Sequence, residues 1–112
     1  MAALFGGAEV IMTGTSWVTI VAAPAGGKQR QVLGICASNR DTVQRTIKLR
    51  KNKGSGTTLV VYPSLDVPAG LSALMPFDSI VLDAADELLE MSTDATAATT
   101  EPNADACYFE VP

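Results

Sequence analysis

The segment TVQRTIKLRKNKGSGTTLVVY, residues 42–62, contains two β-type runs joined by a glycine-rich turn. In the first run Ile47 and Leu49 alternate with polar and basic neighbours, a pattern that predicts a strand with one buried and one solvated face. Gly54-Ser55-Gly56 provides a flexible hairpin connection. The run 57–62 then returns, with Leu59 and Val61 predicted to lie on one face and Thr58, Val60 and Tyr62 on the other.

The same strand and turn alternation continues on both sides of this hairpin. Pro24-Ala25-Gly26 and Pro68-Ala69-Gly70 each close one β-branched run and open another. We therefore predict an all-β chain, an antiparallel two-sheet β-sandwich of jelly-roll or immunoglobulin-like type with about seven to eight strands. Residues 1–16 are expected to form an N-terminal arm or an edge strand, and residues 17–112 a single β-sandwich domain. Further short strands are predicted at Trp17–Ala22, Gln31–Ser38, Leu71–Phe77, Ser79–Leu82, Leu88–Ser92 and Ala104–Val111.

Three of these segments carry specific expectations. Strand 17–22 should alternate strictly, with Ile20 and Val21 on opposite faces, and strand 31–38 should be covered on both faces. Residues 83–91 consist of good helix formers, but the β-prone residues before them favour a turn and a strand over a short helix. The polar run 92–103 is predicted to be a loop that is mobile or contacts a neighbour.

The aromatic and sulfur-containing residues are assigned to the interior. Three aromatic residues in a small β domain are typical of a core, so we place Trp17, Phe77 and Phe109 there. Cys36 and Cys107 lie in apolar runs without the paired spacing of a zinc site, and we expect two buried thiols. One disulfide between them is the less favoured interpretation, since a reducing cytoplasm opposes it.

Charge divides the chain in two. All eight basic residues lie within 28–53, where Asp41 is the one acid, whereas 66–110 contains ten acidic residues and no base. The basic segment could contact phosphates, but the acidic pI near 4.5 and the lack of interleaved aromatic residues argue against nucleic acid. A solvated strand face, or a face that meets an acidic partner, is the preferred interpretation.

The composition excludes several kinds of chemistry. The chain has no histidine, so a serine-histidine or cysteine-histidine nucleophile cannot be assembled, and no phosphate-binding glycine motif is present. The acids at 83, 86, 87 and 90 match no calcium-binding loop. We therefore predict no enzyme, no catalytic residue, no cofactor and no metal. No transmembrane segment or secretory signal is expected.

The divided charge offers an acidic partner within the protein itself. If the basic hairpin and the acidic segment lie on different sides of the sandwich, identical copies can attract one another head to tail. The sequence leaves open the alternative in which the two segments are neighbours in one subunit and neutralise each other. The candidate contacts between subunits are Arg45, Lys48, Arg50, Lys51, Lys53, Asp83, Asp86, Glu87 and Glu90.

Patterns along the chain resemble small structural proteins of tailed-bacteriophage virions. The resemblance rests on Val18–Gly26, on Thr46–Leu49, on Val67–Ser72, on Ile80–Leu88 and on the closing Tyr108-Phe109-Glu110. In such proteins the last acidic turn commonly reads Ala-Gly-Asp, where this chain has Ala84-Ala85-Asp86. The resemblance implies a non-enzymatic β-sandwich present in many copies at the capsid surface, the head-to-tail junction or the tail.

The resulting hypothesis is a virion structural protein, made in the host cytoplasm, that assembles with itself and with a major capsid, neck or tail protein. The alternative is a tail or receptor-binding accessory module that binds carbohydrate or a partner protein. A sugar platform would need an exposed aromatic ring, for which Trp17, Tyr62 and Tyr108 are the candidates.

Overall fold

The computed structural model describes residues 4–54, 56–83 and 86–111. Within them the chain forms ten β-strands and no helix, and so no helix that could cross a membrane. The strands are β1 (Leu4–Ile11), β2 (Val18–Val21), β3 (Gln29–Ser38), β4 (Arg45–Lys53), β5 (Thr58–Val61), β6 (Leu65–Val67), β7 (Ser72–Leu74), β8 (Ile80–Leu82), β9 (Glu87–Thr93) and β10 (Asn103–Val111).

The strands pair in a nested, antiparallel order. β1 pairs with β10, β2 with β9, β3 with β7 and β8, and β4 with β5 and β6. Two further pairings, β10 with β3 and β9 with β4, complete two five-stranded sheets, here called sheet 1 (β1-β10-β3 with β7 and β8) and sheet 2 (β2-β9-β4 with β5 and β6). Nested pairing is the topology of a long hairpin ribbon rolled up on itself. The predicted antiparallel β-sandwich is thus confirmed in its jelly-roll form.

The core lies between the two sheets. In β4 the predicted alternation is confirmed, since Ile47 and Leu49 are buried whereas Lys48 is exposed. Burying a side chain of this size stabilises the fold by about 1.5 to 3 kcal/mol. The buried hydrophobic residues are Met12, Ile20, Val21, Val32, Ile35, Ala37, Ile47, Leu49, Val67, Met75, Ile80, Leu82, Leu89, Met91, Ala104 and Ala106.

Two β-bulges overturn expectations about strand faces. In β2 the register shifts between Thr19 and Val21, and Ile20 and Val21 are both buried, so strict alternation is wrong there. In the pairing of β3 with β10 the register shifts so that Leu33 is the extra residue. Leu33 is 44% exposed, and the expected cover on both faces of this strand is wrong.

The ambiguous segment 83–91 is a strand from Glu87 onward. Leu89 and Met91 are buried while Leu88 and Glu90 are half-buried, which is the period of two that a strand requires. The helical alternative is therefore wrong for residues 86–91. The Ala84-Ala85 part of the acidic turn lies outside the described residues.

The interior assignments need correction. Trp17, Phe77 and Phe109 are all half-buried rather than core; of these, Phe77 packs against the core and against Tyr62, with ring centroids 6.4 Å apart. Both cysteines are free thiols, and Cys107 is exposed while Cys36 is half-buried. They point to the outside of sheet 1 because their neighbours Ile35, Ala37 and Ala106 point inward.

Candidate interaction surfaces

The strand order places the basic β4 beside the acidic β9. Arg50 lies opposite Glu90 in register, and Lys53 lies opposite Glu87. The condition for attraction through this pair of segments, that they lie on different sides of the sandwich, is not met. The two segments are neighbours within one subunit, and ion pairs join them at Arg45–Asp94, Arg50–Glu90 and Lys51–Glu87.

Glu90 is the centre of a polar cluster on the outer face of sheet 2. Its Oε1 accepts hydrogen bonds from Arg50 Nε at 2.9 Å and from Asn52 Nδ2 at 3.0 Å. The Arg50 guanidinium carbon lies 4.2 Å from the centroid of the Trp17 ring, a cation–π contact worth about 0.5–1 kcal/mol at a surface. Asn52 is 6% exposed, and its Oδ1 has no hydrogen-bond partner among the described residues.

Lys51 and Glu87 connect the two sheets at one end of the sandwich. Lys51 Nζ lies 3.7 Å from Glu87 Oε1 and donates a hydrogen bond to the carbonyl of Val81 on β8 at 3.2 Å. Glu87 Oε1 also accepts from the backbone N–H of Asp83 at 2.9 Å. These two members of the predicted contact set therefore help to hold the subunit together.

Arg30 and Glu110 form a second connection on sheet 1. Arg30 Nε donates to Glu110 Oε1 at 2.9 Å, and Arg30 Nη1 donates to the Ala22 carbonyl. The hydrogen bond from Arg30 lowers the pKa of Glu110, burial raises it, and the charges of Arg30 and Lys28 lower it further. The guanidinium carbon of Arg30 also lies 4.8 Å from the centre of the Tyr108 ring.

Asp41 fixes the loop that the sequence predicted to be mobile or in contact with a neighbour. Its buried carboxylate accepts hydrogen bonds from Arg45 Nε at 2.9 Å and from the N–H groups of Ala98 and Thr99 at 2.8 Å. Burial raises the pKa of Asp41, but these donors and the N–H of Thr42 outweigh it and hold the pKa well below its usual range. Sequence reasoning missed this role, although Asp41 stands out as the one acid among the bases.

Half of the charged side chains have no ion pair among the described residues. Lys48, Lys53 and Asp86 belong to the predicted contact set, and Asp83 accepts a hydrogen bond from Gln29 instead. On sheet 1, the exposed Glu9 and Asp105 lie directly opposite each other in register. No group of three or more possible metal ligands occurs in the part of the chain that the structure describes.

The largest departure from the sequence prediction is β5. All four of its residues are exposed, although Leu59 and Val61 were expected to lie on one face and Val60 on the other, as in a strand with one covered face. Val61 is 70% exposed, and three consecutive apolar residues stand in solvent on an edge strand. The remaining exposed large hydrophobics are Ile11, Leu33, Val43, Leu71, Leu74 and Val81.

Among solved structures the chain is similar to several β-sandwich proteins. A chain from the acid-stable capsid of Helicobacter pylori bacteriophage KHP30 matches with TM-score 0.60 and 15% identity, over 100% of this chain and 94% of that one. A chain of disulfide-linked pili, the Bacillus endospore appendages, matches with TM-score 0.58 and 13% identity, over 97% and 85%. The Clostridium thermocellum xylanase 10B CBM22-1 and GH10 modules, complexed with xylohexaose, match with TM-score 0.51 and 13% identity, over 98% and 24%.

No protein-family model matches the chain, and neither does any curated protein. At these low identities the similar structures establish the fold and nothing finer. The fold is an antiparallel jelly roll, and it is similar to chains of a phage capsid and of a pilus and to part of a xylanase chain with CBM22-1 and GH10 modules.

Proposed function

We propose that the protein is a non-enzymatic structural protein of a tailed-bacteriophage virion, present in multiple copies on the capsid as a decoration protein or at the head-to-tail junction. The observation that carries the proposal is its match to a phage capsid chain of nearly the same length, with 100% of this chain aligned to 94% of that one. Because proteins that share a fold can have different functions, the function of this chain must be argued from its surface.

The surface supports an assembly role. Exposed apolar side chains that are contiguous in a strand mark contact sites with other proteins, and β5 presents three of them. We propose as partners a second copy of the chain and a major capsid, neck or tail protein. Among the predicted contacts, Lys48, Lys53 and Asp86 are proposed to meet other subunits directly, whereas Arg45, Arg50, Lys51, Asp83, Glu87 and Glu90 are engaged within the subunit.

The test is the composition of virus particles. Particles from a culture of the phage or lysogen that encodes the chain are purified on a density gradient and quantified by mass spectrometry. We expect the chain in the particle band at a fixed ratio to the major capsid protein, and we expect purified protein to rebind particles stripped of it. A chain found in the lysate and absent from the particles would refute the proposal.

A carbohydrate-binding module is the second candidate, and one observation favours it. Trp17 is half-buried with Arg50 over its ring, and Arg50 in turn donates a hydrogen bond to Glu90; Tyr62 packs on Phe77, and Tyr108 lies under Arg30. An aromatic ring next to hydrogen-bonding groups is what a sugar platform requires. Because Trp17 is the chain's one tryptophan, a titration with xylohexaose can be followed by its fluorescence. Saturable quenching would support this candidate, and a blue-shifted, unresponsive spectrum would exclude it.

A further inference from the structure

Each sheet ends in a strand with an open edge. β1 stands at one end of sheet 1 and β5 at one end of sheet 2, opposite the ends formed by β7 and β2, and each has one hydrogen-bonded neighbour among the described strands. An open edge presents unpaired N–H and C=O groups to which a strand of another chain can add, and proteins that remain monomeric usually protect such edges with charges or proline. Residues 58–61 of β5, threonine, leucine and two valines, carry neither.

The apolar side chains of β5 are not required to build the core of the fold. Leu59, Val60 and Val61 are all exposed, so their contacts contribute little to the stability of the isolated subunit. An uncharged strand with high β-propensity at an open edge is a site at which another strand adds readily. Such a strand is stable in solution when a partner covers it.

The surroundings of the two edges have opposite charge. Glu9 of β1 lies directly opposite Asp105 of β10, a pairing of like charges that is destabilising across two strands. Neither acid has an ion pair among the described residues. Beside β5, the strand β4 carries Lys48 and Lys53, which likewise make no ion pair within the described chain. The β1 edge is thus acidic, whereas the surroundings of β5 are net positive, with the two lysines of β4 set against Asp66 of β6, which accepts a hydrogen bond from Thr46.

We propose that copies of this chain join head to tail, with β1 of one copy adding as a strand to β5 of the next. The contact would cover the apolar residues of β5 and place Glu9 two strands away from Lys48 and Lys53 of the second copy, about 10 Å between the strands, which long side chains can bridge. Pairing of β1 with β1, or of β5 with β5, would instead bring like charges together. Because the two surfaces differ, the contact repeats from copy to copy and generates a ring or a filament. This inference rests on the self-assembly part of the proposed function.

The first experiment compares two lysine substitutions at equally exposed positions. Val61→Lys disturbs β5, and Leu74→Lys alters β7 at the opposite edge of sheet 1; the two residues are 70% and 72% exposed. Size-exclusion chromatography with light scattering measures the assembly, and circular dichroism verifies folding. We expect Val61→Lys to raise the dissociation constant about tenfold or more, and Leu74→Lys to leave it within about twofold.

The second experiment exchanges charges and does not depend on Val61. Glu9→Lys replaces the acid on β1 by a base, so that both contact surfaces then present lysine, whereas Lys48→Glu with Lys53→Glu gives copies in which both surfaces present acids. Each variant alone should lose self-association, whereas a mixture should assemble again with the two variants alternating. An isologous contact through β5 would not be weakened by Glu9→Lys, and one through β1 would not be weakened by Lys48→Glu with Lys53→Glu, so loss of assembly in both variants distinguishes the head-to-tail contact from either.

Three results would overturn the inference: a wild-type protein that stays monomeric at millimolar concentration, an assembly equally sensitive to the two lysine variants, or a mixture that fails to assemble. A monomer that nevertheless copurifies with phage particles would overturn this inference and leave the proposed function standing. A protein that assembles in this way and is absent from phage particles would refute the proposed function and leave this inference standing.

Discussion

If β5 is held in the subunit by its backbone alone, the same substitution should have very different effects at two positions along one sheet edge. β5 and β6 both pair with β4, and each contains a valine: Val61 is 70% exposed and Val67 is 0% exposed. We consider Val→Thr at each position, because threonine keeps the β-branched shape and replaces one methyl group by a hydroxyl.

The structure sets the expected sizes of the two effects. At Val67 the hydroxyl enters the apolar core, which costs about 1–3 kcal/mol in proteins when no partner is available. At Val61 the hydroxyl stays in water, so the change should lie within about 0.5 kcal/mol of zero. A domain of 112 residues has a total stability of roughly 6 to 17 kcal/mol. Val67→Thr should therefore lower the Tm by about 4 to 12 °C, at about 4 °C per kcal/mol.

The assay is urea unfolding followed by the fluorescence of Trp17, with free energies obtained by linear extrapolation. Protein concentrations must lie below the range of self-association, since association stabilises the folded state. An equal loss of stability in the two variants would show that β5 packs within the subunit, and would refute the reasoning that its apolar surface is reserved for a partner.

The remaining predictions concern other parts of the fold. The depressed pKa of Asp41 means that its stabilising contribution is present above the ordinary carboxyl value of about 3.9 and is lost as the pH falls toward the lower, folded-state value. The urea concentration at the unfolding midpoint should therefore decrease as the pH is lowered below about 4 in the wild type, and it should change less in Asp41→Asn. Parallel pH dependences of the two proteins would contradict this. Gly6→Ala places a Cβ 2.6 Å from Cζ of Tyr108, whereas at Gly7 the nearest contact is an ordinary 3.8 Å; thermal unfolding should show a loss of about 1–3 kcal/mol for the first variant and little change for the second, and equal effects would argue against the packing of Tyr108 over β1. Cys107 should react with a thiol reagent in the native protein faster than the half-buried Cys36; labelling that requires denaturant would place both thiols in an interior or an interface.

Local patterns predicted the fold class because each strand of this chain carries its own signal. The alternation around Ile47 and Leu49 and the turn residues that follow are properties of neighbours in sequence, and the structure confirms them. The bulges at Thr19 and Leu33 depend on the partner strand, and so the faces of β2 and β3 were wrongly predicted. The exposure of β5 likewise depends on which strand lies beside it.

The candidate contacts show the same division. The sequence identifies a basic and an acidic segment but not their distance, because a pairing such as Arg50 with Glu90 joins residues 40 positions apart. Asp41, whose bonds to Ala98 and Thr99 fix a distant loop, had no local signal beyond its position among bases.

By itself the sequence determined that this chain forms short strands, that its charge is divided between two segments, and that it has no histidine. The tertiary structure alone decided that part of the divided charge is paired between the neighbouring strands β4 and β9 and that β1 and β5 lie at sheet edges. The physical reason is that strand propensity and turn chemistry act over a few residues, whereas strand order is decided by burying one common core, which brings together residues that are far apart in the chain.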